Sequence, residues 1–94
     1  MTEAAAHSSA DPQTRQSIRR YILENLMFSD DPSQLPDDAS LLDRGIIDST
    51  GVLEVVMFLE ESFGVKVRDS DLLPENFDSV ARIAGFVARL RAEG

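Results

Sequence analysis

A serine beside an aspartate, Asp48-Ser49, is the part of this 94-residue chain whose residue types best suit chemistry. Ser49 supplies a hydroxyl that can be modified, and Asp48 supplies a carboxylate next to it. Either residue is also a good helix N-cap, because its side-chain oxygen can accept hydrogen bonds from the free N–H groups of a first helical turn. The pair therefore has two interpretations, a modification site or a simple cap, and the two residues alone leave both open.

Ser49 lacks the partners that would make it the nucleophile of a hydrolase. The chain has no cysteine, and its single histidine, His7, lies in the N-terminal segment. Ser49-x-Gly51 matches the end of the Gly-x-Ser-x-Gly hydrolase motif, but Ile47 occupies the position of the first glycine. We therefore expect that the protein is not an enzyme, and any thiol that it uses must come from a prosthetic group.

Two amphipathic helices are predicted on either side of a long loop. The first spans residues 11–27, with Asp11 as its cap and Pro12 in its first turn, where the missing N–H of proline costs nothing. The second spans residues 49–63 and ends at Gly64, since glycine readily adopts the left-handed conformation of a helix C-terminus. Apolar residues at helical spacing are the expected buried faces. They are Ile18, Ile22 and Leu26 in the first helix, and Val52, Val55, Val56, Leu59 and Phe63 in the second. Leu53, Met57 and Phe58 are additional apolar residues that the same face cannot bury.

The loop between these helices, residues 29–47, is longer than the roughly 12–15 residues beyond which structureless loops are uncommon. We expect its leucines and isoleucines to pack across the helices, and residues 40–43 to form a single turn. An extended link follows at residues 65–67. Asp69 or Ser70 is then expected to cap a short helix that Pro74 ends.

The last predicted helix follows Asp78, which is expected to be its cap. Its apolar face consists of Val80, Ile83, Ala84, Val87 and Leu90. The chain therefore predicts an all-α bundle of three main helices plus one short helix, with a long first loop. Residues 1–10 are small and polar and are expected to be a disordered tail, so the helical domain is expected to span residues 11–94.

The charge of the chain is negative and unevenly distributed. Seventeen acidic residues against nine basic ones give a formal net charge of −8. Nine of the acids, but only one base, lie between Asp30 and Gly64, around Ser49. Nucleic-acid binding is therefore not expected, because phosphates require Lys and Arg, and basic protein partners are expected instead. With no apolar run long enough to span a bilayer and no signal-peptide pattern, we expect a cytoplasmic monomer without membrane insertion.

The sequence around Ser49 resembles the modification region of acyl carrier proteins. Residues 45–50 read Gly-Ile-Ile-Asp-Ser-Thr, and the helix that follows ends in Glu-Glu-Ser-Phe before Gly64. The usual sequence motif of the family is Leu-Gly-x-Asp-Ser-Leu, followed by an acidic, apolar helix that ends in Glu-Glu-x-Phe. The resemblance covers residues 14–91 and implies the helical bundle of that family. It also implies a carrier in which Ser49 bears 4′-phosphopantetheine derived from coenzyme A, with an acyl or aminoacyl group held on it as a thioester.

The resemblance also implies roles for the residues near Ser49. Asp48 matches the aspartate of the motif, and the alternative is that it competes with Ser49 as the cap. The implied partners are a phosphopantetheinyl transferase, an acyl or aminoacyl ligase, and acyl-processing enzymes with basic surfaces. Residues expected to be recognised by these partners are Thr50, Glu54, Met57, Glu60 and Glu61. For the three glutamates the alternative is a solvated helix face. For Val55, Val56 and Leu59 the resemblance implies an interior that can shelter an attached chain, and plain core is the preferred interpretation.

Two positions depart from the usual sequence motif of the family. Thr50 replaces the usual leucine after the serine, and Gly51 replaces an acidic or polar residue. Because that leucine normally contacts partner enzymes, the change favours a dedicated carrier with its own ligase over ordinary fatty acid synthesis. Its cargo would be a specialised acyl chain, a polyketide or an amino acid, and peptidyl or D-alanyl carriers remain open. An acidic helical adaptor without a prosthetic group is the alternative from another class.

Overall fold

The fold is helical, as predicted. The computed structural model describes residues 12–93, and side chains up to residue 92. Its helices are α1 (Pro12–Ile22), α2 (Ser49–Phe63) and α3 (Val80–Glu93), and the described residues contain no strand. Short 3₁₀ turns lie at Pro32–Gln34, Asp69–Asp71 and Pro74–Asn76. No described helix combines the length and apolar character needed to cross a membrane. The expected tail at residues 1–10, with His7, and the Asp11 cap lie outside the described residues.

The core lies where α3 packs against α1, with the inner side of α2 closing it. All five residues predicted for the α3 face are buried: Val80, Ile83, Ala84, Val87 and Leu90. Phe86 is also buried, and its ring meets the edge of the Phe77 ring at 5.3 Å between centroids. Val55 and Leu59 of α2 are completely buried in this core, which agrees with their preferred interpretation. Val56, for which core was also preferred, is only half-buried, as are the other two residues of the predicted face, Val52 and Phe63.

The end of α1 differs from the prediction in its geometry. The chain continues beyond Ile22 as one π-helical turn, Leu23–Met27, before Phe28 adopts a left-handed backbone with φ of 54°. Bonds in a π-helical turn run from i to i+5, so the residues that share a face with Ile18 change. Leu23 is therefore buried, whereas Leu26, which the helical spacing placed on the buried face, is only half-buried.

The first loop packs across the helices, as expected from its apolar residues. Three of these are buried: Leu35, Leu41 and Ile47. Asp37 links the loop to two helices, because its carboxylate pairs with Arg15 and Arg19 of α1 and its carbonyl oxygen accepts from Ala81 N–H at 2.9 Å. The predicted single turn at residues 40–43 is present.

Two local predictions in the C-terminal third were wrong. In place of a short helix capped by Asp69 or Ser70, there are two 3₁₀ turns, and Pro74 begins the second of them, where its fixed φ suits a first helical position. Asp78 is not the cap of α3. Ser79 caps it, since its hydroxyl oxygen accepts from Arg82 N–H at 3.0 Å. The Asp78 side chain instead turns toward the first loop, where it accepts from Ser40 Oγ at 2.7 Å.

Candidate functional site

Ser49 is the first residue of α2, and its side chain is exposed. Asp48 precedes it in an extended conformation and caps the helix, with Oδ1 accepting from Gly51 N–H at 2.8 Å. Within residues 12–93 the Ser49 hydroxyl makes no hydrogen bond. Of the two candidate caps, Asp48 therefore takes the role, and the hydroxyl of Ser49 is left available for modification.

The backbone around Ser49 suits a phosphate group. Asp48 satisfies the Gly51 N–H through its side chain and the Val52 N–H through its carbonyl oxygen, at 2.8 and 2.9 Å. The N–H groups of Ser49 and Thr50 belong to the first turn, which has no intrahelical acceptor for them. These groups and the positive end of the helix dipole favour an anion at this end of α2. A phosphodiester on Ser49 Oγ would thus meet a complementary environment, and the residues present fit a phosphopantetheine group.

An apolar groove opens directly beside Ser49. It has a volume of about 400 Å³ and is formed by α2, the first loop and the segment between α2 and α3. Its lining residues are Leu42, Asp48, Ser49, Val52, Leu53, Leu72 and Pro74. Leu53 is 55% exposed and Leu42 37% exposed, so much of this apolar lining remains accessible.

Sequence reasoning missed the far wall of this groove. This wall consists of residues that are separated from Ser49 in sequence. Leu42 belongs to the predicted first loop, and Leu72 and Pro74 belong to the predicted short helix and its end. The signal that could have identified the second of these segments is Leu72-Leu73-Pro74, two leucines in a segment too short to bury both. The structure leaves Leu73 46% exposed, next to the groove wall.

Four of the five predicted recognition residues share one face of α2. Thr50, Glu54, Met57 and Glu61 recur at 4-3-4 spacing, and all four side chains are exposed, Met57 by 61%. We call these four residues the outer face of α2. It begins beside Ser49 and presents a threonine, a methionine and two carboxylates along three turns of helix.

Glu60, the fifth of these residues, is placed differently. Its side chain is half-buried, and Oε2 accepts a hydrogen bond from Val67 N–H at 3.0 Å. This contact ties the extended link at residues 65–67 to the end of α2. The carboxylate of Glu60 therefore has a structural partner within the chain, whereas those of Glu54 and Glu61 point to solvent.

An aromatic contact holds α2 against α1. The Tyr21 ring stacks on Phe58 with 4.2 Å between centroids, and its hydroxyl donates to the Glu54 carbonyl oxygen at 3.3 Å. Burial, together with the nearby Glu54 carboxylate, raises the pKa of Tyr21 above its ordinary value, so the phenol keeps the proton that it donates. Phe58, one of the surplus apolar residues of the sequence, is thereby assigned to the contact with α1.

Proteins similar in sequence to this chain include carrier proteins. A family model described as a phosphopantetheine attachment site matches residues 16–87. The chain is also similar to the D-alanyl carrier proteins of Streptococcus pyogenes serotypes M5 (strain Manfredo), M49 (strain NZ131) and M1. In each case 31% of 77 aligned residues are identical, and the alignment covers 80% of this chain and 96% of the relative.

Proposed function

Since the chain belongs to the family of phosphopantetheine-dependent carrier proteins, we propose that Ser49 is its attachment residue and that it carries an acyl or aminoacyl group between partner enzymes. The observation that supports this assignment is the free Ser49 hydroxyl at the open N-terminus of α2, with Asp48 as the cap. The bound group supplies a terminal thiol, which the cysteine-free chain lacks, for a thioester with the cargo.

The chemistry of attachment asks little of the carrier itself. On the transferase, Ser49 Oγ attacks a phosphorus of the coenzyme A pyrophosphate, the new O–P bond forms, and the nucleotide half of coenzyme A leaves with the other phosphate. The transferase must supply the base that accepts the serine proton and the metal ion that balances the phosphate charge. The carrier contributes an unobstructed hydroxyl and the N–H groups and dipole of α2, which favour the resulting phosphodiester.

Partner recognition is proposed to use the outer face of α2. Glu54 and Glu61 offer exposed carboxylates to basic enzyme surfaces, and Met57 offers an adaptable apolar contact between them. Thr50 is exposed and directly follows Ser49, so we expect an enzyme that reaches the hydroxyl to contact it. We propose that Thr50 restricts the set of partners and thereby favours a dedicated ligase over the enzymes of ordinary fatty acid synthesis.

For the cargo, we propose a small acyl or aminoacyl group loaded by that ligase in the cytoplasm. The similarity to D-alanyl carrier proteins, over most of both chains, supports the aminoacyl class. A specialised acyl chain or a polyketide unit is the alternative. A panel of amino acids and short carboxylic acids, offered with ATP and the candidate ligase to the phosphopantetheinylated protein, separates them through the mass of the loaded product.

The decisive test of the attachment site is intact mass. Incubation of the full chain with coenzyme A and a phosphopantetheinyl transferase should add one phosphopantetheinyl group, and Ser49→Ala should abolish the addition. Ser62→Ala is the matched control, because Ser62 is the other exposed serine of α2 and should not affect modification. Modification of a folded Ser49→Ala protein would refute the site. A wild type that several unrelated transferases fail to modify would instead favour the adaptor without a prosthetic group.

A further inference from the structure

We propose that Asp78 is a positioning residue for the modification of Ser49: its side chain fixes the first loop so that the start of α2 is presented in one orientation. This inference rests on the proposed role of Ser49. It assigns a function to a carboxylate that lies outside the site and that the sequence pattern marks only as a helix cap.

The side chain of Asp78 makes two contacts with the loop. Oδ1 accepts from the Ser40 hydroxyl at 2.7 Å and from Leu42 N–H at 3.2 Å, although Ser40 and Asp78 are 38 residues apart. Ser40 Oγ in turn accepts from Asp43 N–H at 3.1 Å. The Asp78 carbonyl oxygen adds a backbone contact, accepting from Leu41 N–H at 2.6 Å. Asp78, which lies just before α3, therefore contacts three residues of the turn at residues 40–43 directly and the fourth through Ser40 Oγ.

A continuous set of contacts leads from this turn to Ser49. The Leu41 carbonyl oxygen accepts from the N–H groups of Ile46 and Ile47, at 2.9 and 3.3 Å. Ile47 is buried and directly precedes Asp48, the cap of α2. The same turn carries Leu42, which lines the apolar groove beside Ser49. Loss of the Asp78 contacts would thus allow the segment before α2 to move, and with it one wall of the groove.

The contacts use Asp78 as a hydrogen-bond acceptor, and its charge is not required by them. Both side-chain bonds end on Oδ1, which the amide oxygen of asparagine can replace. A positioning role therefore predicts that Asp78→Asn retains function and Asp78→Ala loses it. If Asp78 instead acted by attracting basic enzymes through its charge, Asp78→Asn would lose function as Asp78→Ala does.

The test is the steady-state kinetics of phosphopantetheine transfer to the full-length chain, with the carrier as the varied substrate. We expect Asp78→Ala to lower kcat by about tenfold or more, since small misplacements of a reacting group reduce rates by that order. KM should stay within about twofold of the wild type, because the outer face of α2 is unchanged. We expect Asp78→Asn to match the wild type, and Ser40→Ala to lower kcat by a smaller factor.

This pattern differs from that of a merely unstable protein. Partial unfolding reduces the concentration of usable carrier, which raises the apparent KM and leaves kcat unchanged. Ser79→Ala is the matched control: it removes the adjacent α3 cap, whose bond stays within α3, and should lower the thermal midpoint without lowering kcat. Amide hydrogen exchange should accelerate at Leu42 and Asp43 in Asp78→Ala, with the amides of α3 still protected.

Each result decides the question. A kcat of Asp78→Ala equal to that of the wild type would overturn the inference, as would an Asp78→Asn protein as slow as Asp78→Ala. If Asp78→Ala does not fold, the kcat of Ser40→Ala decides, and a wild-type value there would overturn it. Failure of the proposed function is separately visible, because the wild type would then show no transfer.

Discussion

Helices α2 and α3 have almost the same length, 15 and 14 residues, but they use their apolar residues in opposite ways. α3 buries six apolar side chains and lies at the centre of the core, whereas α2 buries only Val55 and Leu59 completely. Leu53 and Met57 of α2 are more than half exposed. The helix that carries Ser49 therefore keeps apolar side chains on its surface, next to exposed carboxylates.

The apolar content of a helix therefore does not by itself indicate burial. In α3 the apolar residues fall on one face at helical spacing, and the fold buries that face. In α2 they extend around the helix, beyond what α1 and α3 can cover. Exposed apolar groups close to Ser49 fit the proposed function, in which partner enzymes contact the carrier next to its attachment residue.

The largest expected difference between the two helices is in stability. Ile83→Ala in α3 should lower the free energy of unfolding by about 2–5 kcal/mol, because it leaves a cavity in the core. Met57→Ala in α2 should change it by no more than about 0.5 kcal/mol, as is usual for an exposed side chain. Urea unfolding followed by circular dichroism measures both. If Ile83→Ala is too unstable to fold, Ile83→Val should still cost about 0.5–1.5 kcal/mol.

The same pair should show the opposite order in function. Met57→Ala should raise the KM for the transferase, since it removes an exposed apolar contact of the outer face. Ile83→Val should leave the kinetics of the folded protein unchanged. A Met57→Ala protein that loses more than about 1 kcal/mol of stability and keeps its kinetics would show that α2, like α3, uses its apolar residues for packing.

A smaller effect is expected from the charges on the outer face of α2. Glu54→Lys and Glu61→Lys should each lower kcat/KM for the transferase several-fold at low salt, mainly through slower association. The loss should shrink as salt rises, because exposed charges are screened beyond about 8–10 Å at physiological ionic strength. Glu24→Lys in the π-helical turn after α1 makes the same charge change at another exposed position and is the control.

Among the glutamates of α2, Glu60 is the one whose substitution should affect stability as well as partner recognition. Because its carboxylate accepts the Val67 N–H, Glu60→Lys should also lower the free energy of unfolding by about 1 kcal/mol, whereas Glu54→Lys and Glu61→Lys should not. If Glu24→Lys lowers kcat/KM as much as Glu54→Lys and Glu61→Lys do, the result would contradict a recognition face on α2. It would indicate an effect of net charge alone.

The sequence predicts best where local signals decide the structure. Asp48 and Gly64 are adjacent to the two ends of α2, so both limits of that helix followed from its own residues. Asp78 and Ser79 are both acceptable caps, and the choice between them depends on the contact between Asp78 and Ser40, which no local pattern contains. The π-helical turn after Ile22 is likewise invisible to helical spacing, which placed Leu26 in the core.

The site divides in the same way. Ser49 and the neighbouring carboxylate of Asp48 are local features, and the sequence marks both as candidate residues. It leaves open which of them caps α2, and only the structure shows that Asp48 is the cap and that the Ser49 hydroxyl is free. The groove beside them is a tertiary feature, because Leu42 and Leu72 come from segments on either side of α2. The family resemblance groups Glu60 with Glu54 and Glu61 as recognition residues, and only the fold shows that Glu60 has a partner in Val67.

The smallest expected effect concerns Gly51, in the first turn of α2, where the family motif usually has an acidic or polar residue. A Cβ atom there would meet Asp48 Oδ1 at 3.5 Å and Ile47 Cγ1 at 3.7 Å, both ordinary contacts. Alanine is favoured over glycine within helices by about 1 kcal/mol. Gly51→Ala should therefore raise the free energy of unfolding by about 0.5–1 kcal/mol and the thermal midpoint by a few degrees, measured by thermal unfolding.

Gly64→Ala is the matched control at the other end of the same helix. Its backbone has φ of +68°, which side chains with a Cβ rarely adopt, so alanine should destabilise the protein by about 1 kcal/mol although space is available. Gly51→Ala should leave modification of Ser49 intact, because the Asp48 cap and the exposed hydroxyl are unchanged. A destabilised Gly51→Ala protein would show that the start of α2 packs more tightly against the loop than these contacts indicate, which would make the two ends of α2 alike in their need for glycine.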